Sequence, residues 1–102
     1  MIDLQTVTMS SVLNRVVLID DDPATNKIHT ELLKMTKVVG TIDVYETAEA
    51  AISELKSCSK QEFPELIMVD IGLPTMSGHE FGIKVRKLEG FDPSKTVVCM
   101  LT

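Results

Sequence analysis

Short runs rich in β-branched and apolar residues alternate with amphipathic stretches along this chain. The runs at 16–19, 66–69 and 96–101 are almost free of polar interruption, which is typical of strands buried on both faces of a sheet. The run at 41–45 also has the composition of a strand. The pattern therefore predicts four short strands, separated by segments long enough to hold helices.

Three of the intervening segments carry helix signals. Asp22 followed by Pro23 is typical of a helix start, and this helix is predicted to run to about residue 36. Thr47 is a candidate cap for a second helix, and a third helix is predicted before the break at 91–94. Helical spacing predicts the following inward positions: Ala24, Ile28, Leu32 and Met35 in the first helix, Ala48, Ala51, Ile52, Leu55 and Cys58 in the second, and Phe81, Val85 and Leu88 in the third.

The order βαβαβαβ predicts an α/β fold with a doubly wound parallel sheet and strand order 2-1-3-4. In such sheets ligands bind beyond the carboxyl ends of the strands, where the strand order reverses. Asp20 and Asp21 end the first predicted strand, and Asp70 ends the third. Neighbouring strands would bring these carboxylates into one acidic pocket, with Thr102 at the end of the fourth strand beside it.

Composition and charge limit the possible partners. The length of 102 residues and the 44% share of hydrophobic residues predict one globular domain. Fifteen acidic against ten basic residues give a net charge of −5, which argues against a nucleic-acid or anionic-membrane surface. The longest apolar run is too short to cross a bilayer and the first residues carry no basic leader, so we expect a cytoplasmic protein. Cys58 and Cys99 lack the spacing of a zinc site or disulfide framework.

The predicted acidic pocket needs a cation. At about 5 Å and an effective dielectric constant near 20, two carboxylates repel by about 3 kcal/mol. Oxygen ligands with room for water suit Mg²⁺, which converts this repulsion into coordination. An aspartate beside Mg²⁺ suits phosphoryl transfer to a carboxylate oxygen, with Asp70 as the nucleophile. The Thr102 hydroxyl is then placed to bond one phosphoryl oxygen.

Three segments carry a resemblance to a known family. VLIDDDP, LIMVDIGLPTMSG and VVCMLT resemble, in this order, the response regulator receiver domain of two-component signalling, over about residues 15–102. The most specific part is Asp70 with Pro74 and Gly78 four and eight positions later. The resemblance implies a flavodoxin-like receiver fold and a signalling role, not an enzyme that turns over external substrates.

The resemblance also implies roles for individual residues. Asp70 would accept the phosphoryl group from a histidine kinase or a phosphotransfer protein and would pass the signal to a downstream protein partner. Asp20, Asp21 and Asp70 would hold Mg²⁺, with the backbone carbonyl of Gly72 as a further ligand. Thr102 would be the hydroxyl that reports phosphorylation.

The chain departs from the family pattern after residue 102. The family has a fifth strand with a lysine that pairs with the phosphoryl oxygens, and then further helices, none of which this sequence contains. We therefore interpret residues 1–14 as an N-terminal extension and 15–102 as an incomplete receiver domain. Such a chain alone should expose an apolar strip and a strand edge, so we expect either a fragment of a longer receiver or a dimer that covers that sheet face.

Other functions compete with this interpretation. The missing lysine leaves open a degenerate receiver that only binds proteins. A haloacid-dehalogenase-like phosphatase also starts with an Asp-x-Asp pair, here Asp20 and Asp22, but Ala24 stands where that family has Thr or Val. A calcium-binding EF-hand loop would use Asp20, Asp22 and Glu31, yet its glycine is absent. His29 and His79 are predicted to be exposed helix residues.

Overall fold

Four parallel strands alternate with three helices in residues 13–101, the part of the chain that this computed structural model describes. The predicted βαβαβαβ order is confirmed. The predicted extension at 1–14 falls mostly outside the described residues. The elements are β1 (Leu13–Ile19), α1 (Pro23–Thr36), β2 (Val39–Tyr45), α2 (Ala48–Leu55), β3 (Leu66–Asp70), α3 (Gly78–Val85) and β4 (Val97–Leu101).

The strands form one parallel sheet in the order β2-β1-β3-β4, as predicted. Ile19 at the end of β1 is in register with Tyr45 of β2 and Val69 of β3. Asp70 at the end of β3 is in register with Leu101 of β4. The carboxyl ends of β1 and β3 therefore lie side by side, at the point where the strand order reverses.

β1 begins three residues before the apolar run that predicted it. Leu13 pairs with Val39, and Arg15 fits within the strand because its Nε donates to Asp43 Oδ2 at 2.6 Å. This partly buried ion pair neutralises the charge of Arg15 within the strand. The Arg15 guanidinium also donates to Cys58 Sγ at 3.2 Å, which connects β1 to the segment after α2.

The main core lies between the sheet and the helices α2 and α3. It includes Val17 and Ile19 of β1, Ile67 and Val69 of β3, and Phe81 of α3, all of them 0–1% exposed. Side chains alternate along a strand, so the neighbours of these residues face the opposite side of the sheet, where α1 packs on β1 and β2. The sheet therefore carries helices on both faces, as a doubly wound fold requires. None of the described helices is long and apolar enough to cross a membrane.

The predicted inward face of α1 is wrong. Ile28, Leu32 and Met35 are 59%, 56% and 74% exposed, whereas the buried residue of α1 is Asn26. Helical spacing correctly groups the apolar residues on one side of α1, but that side does not face β1 and β2. Within residues 13–101 no element covers that side of α1.

The β4 side of the sheet is open as well. β4 is an edge strand, and Val97 at its start is 62% exposed. The sequence predicts an exposed strand edge, and β4 is one; the uncovered side of α1 adds apolar surface that the sequence does not predict.

Candidate functional site

Three carboxylates meet at the carboxyl edge of the sheet. Asp20 and Asp21 directly follow β1, and Asp70 is the last residue of β3. Each offers one oxygen, and these oxygens all lie within 4.8 Å of one another. The structure thus places the three predicted ligands together, because parallel neighbouring strands end at the same edge.

Asp20 is fixed by three hydrogen bonds. Its backbone N–H donates to the Tyr45 carbonyl at 3.1 Å, and its Oδ1 accepts from the Asp22 N–H at 2.9 Å. Its carbonyl oxygen accepts from Asn26 Nδ2 at 2.7 Å. Asp20 is only 9% exposed, whereas Asp21 is exposed, so the cluster combines a well-anchored carboxylate with a solvent-facing one.

Asp22 caps α1, as its position before Pro23 predicts. Its Oδ1 accepts from the Ala24 N–H at 3.0 Å, and its Oδ2 accepts from Thr25 Oγ1 at 2.8 Å. The hydrogen bond from Thr25, followed by that from Ala24, lowers the pKa of the Asp22 carboxyl below its ordinary value. Both oxygens of Asp22 are engaged with α1, which separates this residue from the three clustered carboxylates.

Asp70 is held by the loop that follows it. Its Oδ1 accepts from the Gly72 N–H at 2.9 Å. The same loop closes where the Gly78 N–H donates to the Ile71 carbonyl at 3.2 Å, and Ser77 then caps α3 through the Glu80 N–H. The predicted role of the Gly72 carbonyl as a metal ligand stays a prediction.

Gly78→Ala is expected to lower the free energy of unfolding by about 1–3 kcal/mol, the usual cost of overpacking. A Cβ at this position would lie 2.7 Å from Ile71 Cα and 2.9 Å from the Asp70 carbonyl oxygen, and neither is a flexible side-chain end. Gly72→Ala is the matched control, since its Cβ would approach Asp70 Oδ1 no closer than 3.6 Å. Urea denaturation of both variants checks this prediction, and an equal loss in both would contradict it.

An open cleft of about 560 Å³ surrounds the three carboxylates. Within residues 13–101, the side chains around it include no lysine or arginine. Arg15 lies five residues before Asp20 in β1, roughly 16 Å away at about 3.3 Å per residue. The cleft is therefore strongly negative. Its lining consists of Asp20, Asp21, Asp22, Thr25, His29, Asp70, Met100 and Leu101.

The positions of two α1 residues near the site, His29 and Asn26, were not predicted from the sequence. His29 is half-buried and lines the cleft, so its prediction as an exposed residue is wrong, whereas His79 is exposed as predicted. His29 lies seven residues, or two helical turns, after Asp22, and this spacing places it on the same side of α1 as the cap. Asn26 is 5% exposed and contacts Asp20, and no apolar periodicity marked it. Thr102 lies outside the described residues.

Comparison with known proteins identifies the family. The family model of the response regulator receiver domain matches residues 16–102. A two-component response regulator from Cytophaga hutchinsonii is 33% identical with a TM-score of 0.71, over 87% of this chain and 68% of that chain. The MaeR response regulator bound to beryllium trifluoride is 28% identical with a TM-score of 0.69, over 87% and 66%.

A more distant structure supports the fold alone. The signal receiver domain of NarL from Mycobacterium tuberculosis is 21% identical with a TM-score of 0.65, over 87% of this chain and 65% of that chain. A search of curated proteins finds no match. The chain thus spans about two thirds of the length of the solved structures it resembles. With a family match over most of its length and a sheet of the same strand order, this chain belongs to the response regulator receiver domain family of two-component signalling.

Proposed function

We propose that this chain is a phosphoacceptor domain in which Asp70 receives a phosphoryl group from a histidine kinase or a phosphotransfer protein. The observation that carries the proposal is the convergence of Asp20, Asp21 and Asp70 within 4.8 Å at the ends of adjacent parallel strands. Such a domain acts as a switch for a protein partner, and it assists its own phosphorylation and dephosphorylation without turning over external substrates.

The donor set of the cleft fits Mg²⁺. It offers carboxylate oxygens and, within residues 13–101, no lysine or arginine to neutralise them. Asp20, Asp21 and Asp70 would hold the ion, with the Gly72 carbonyl as the further ligand that the sequence predicts. When bound, Mg²⁺ neutralises negative charge on the transferring phosphoryl group.

The surroundings of Asp70 favour one of its oxygens as the nucleophile. Oδ1 accepts the hydrogen bond from the Gly72 N–H, which fixes the carboxylate, whereas Oδ2 accepts no hydrogen bond within residues 13–101. Attack by Oδ2 on the phosphorus of a phosphohistidine forms an acyl phosphate and breaks the P–N bond. The leaving imidazole keeps the bonding electron pair and takes up a proton.

The readout of phosphorylation rests on residues and partners beyond this site. We propose that the Thr102 hydroxyl bonds a phosphoryl oxygen and that a downstream protein senses the resulting small shift of local structure.

A dimer covering the exposed sheet face and a cytoplasmic location also stay predictions. A second candidate function, a degenerate receiver that only binds proteins, is favoured by the lack of a lysine or arginine in the described cleft lining.

Intact mass spectrometry tests the proposal directly. With Mg²⁺ and acetyl phosphate, the chain is expected to gain the mass of one phosphoryl group, and a chelator should prevent the gain. Beryllium trifluoride, to which the similar MaeR response regulator is bound, should raise the melting temperature in the same Mg²⁺ buffer. A chain that gains no mass and shows no thermal shift would favour the binding module instead.

A further inference from the structure

The buried position of α1 is occupied by an amide. Asn26 is 5% exposed, while the apolar residues Ile28 and Leu32 of the same helix are more than half exposed. Burial of apolar side chains is what normally holds a helix on a sheet, so this arrangement reverses the usual preference. A role other than helix packing would explain it.

The hydrogen bonds of Asn26 are incomplete on one side. Its Nδ2 donates to the Asp20 carbonyl at 2.7 Å, whereas its Oδ1 has no hydrogen-bond partner among the described residues. A buried acceptor without a donor is costly, and an apolar side chain of similar shape would avoid that cost. Stability alone therefore does not account for asparagine at this position.

We propose that Asn26 is a positioning residue for the acidic cluster, an inference that rests on the proposed function. The Asp20 carbonyl belongs to the peptide that joins Asp20 to Asp21, where the chain leaves β1. By holding that carbonyl, Asn26 fixes the plane of the peptide from which both carboxylates project. It thereby sets the approach of Asp20 and Asp21 to Asp70 without itself touching the ion or the phosphoryl group.

The other restraints on Asp20 do not replace this contact. The bond to the carbonyl of Tyr45, at the end of β2, holds the Asp20 N–H, and the bond from the Asp22 N–H holds the Asp20 carboxylate. Neither one fixes the Asp20 carbonyl. Asp21 is exposed, so the orientation of its backbone depends on this peptide more than on packing.

Asn26→Leu tests the role because it keeps the size of the side chain and removes the hydrogen bond. Calorimetric titration is expected to show Mg²⁺ affinity reduced about tenfold or more, the typical effect of losing a group that orients metal ligands. Without Mg²⁺, the melting temperature of Asn26→Leu should equal or exceed that of the unmodified chain, because leucine leaves no buried acceptor unpaired. Thr30→Val is the matched control, since Thr30 lies one turn later and lines the same small cavity as Asn26. Its Mg²⁺ affinity should not change.

Unchanged Mg²⁺ affinity in Asn26→Leu would overturn the positioning role, whether or not the melting temperature falls. Should the leucine variant fail to fold, Asn26→Ser carries the same test, since it also loses the reach to the Asp20 carbonyl. If the unmodified chain does not bind Mg²⁺, the proposed function fails and the positioning role fails with it. Binding by the unmodified chain and by Asn26→Leu with equal affinity removes the positioning role alone.

Discussion

Asp70→Asn is expected to abolish the gain of phosphoryl mass in the presence of Mg²⁺ and acetyl phosphate. An amide oxygen is a far weaker nucleophile than a carboxylate oxygen, and the substitution keeps the shape of the side chain. The Gly72 N–H, which now donates to Asp70 Oδ1, can donate to the amide oxygen instead, so the loop should keep its conformation. The loss should therefore be chemical and not structural.

Stability measurements separate that loss from unfolding. Removing one of three charges within 4.8 Å relieves repulsion, so Asp70→Asn should be more stable than the unmodified chain in the absence of Mg²⁺. After solvent screening, we expect a gain of up to about 1 kcal/mol in the free energy of unfolding. Urea denaturation measures this gain. Phosphorylation that persists in a folded Asp70→Asn would contradict the assignment of Asp70 as the acceptor.

Asp22→Asn is the matched control for this experiment. Asp22 lines the same cleft, yet both its oxygens accept hydrogen bonds from the first turn of α1. Asparagine is about as good a helix cap as aspartate, so the fold should be kept. Phosphorylation should continue in Asp22→Asn, and its loss there would indicate that the chemistry depends on the total charge of the cleft.

Phe81→Ala is expected to produce the largest loss of stability. Phe81 is 0% exposed and belongs to the core between the sheet and α2 and α3. Truncating such a residue typically costs about 3–5 kcal/mol, a large part of the roughly 5–15 kcal/mol that stabilises a domain. The urea midpoint should fall sharply, and part of the population should be unfolded before any denaturant is added.

Ile83→Ala gives the comparison on the same helix. Ile83 lies two residues after Phe81 and is 61% exposed, so its truncation should change the free energy of unfolding by no more than about 0.5 kcal/mol. Urea denaturation of both variants under one set of conditions makes the test. Similar losses in the two variants would mean that α3 packs with a different face towards the sheet.

The sequence by itself determined the order of the elements and the positions of the site aspartates. Apolar runs ending in carboxylates predicted β1 and β3 with Asp20 and Asp70 at their ends, because the strand order of a doubly wound sheet makes those two strands neighbours. Asp22 before Pro23 predicted the cap of α1, because a cap depends only on adjacent residues. These features are local or follow from topology, so no knowledge of packing was needed.

Only the tertiary structure decided which face of α1 is buried. Helical spacing groups Ile28 with Leu32 and Met35, but it does not say whether a neighbouring element exists to cover them. In the described residues α1 packs on β1 and β2 through a more polar side, which buries Asn26 and brings His29 to the acidic cleft. Burial depends on where the other elements lie, and that information is not contained in the periodicity of a single helix.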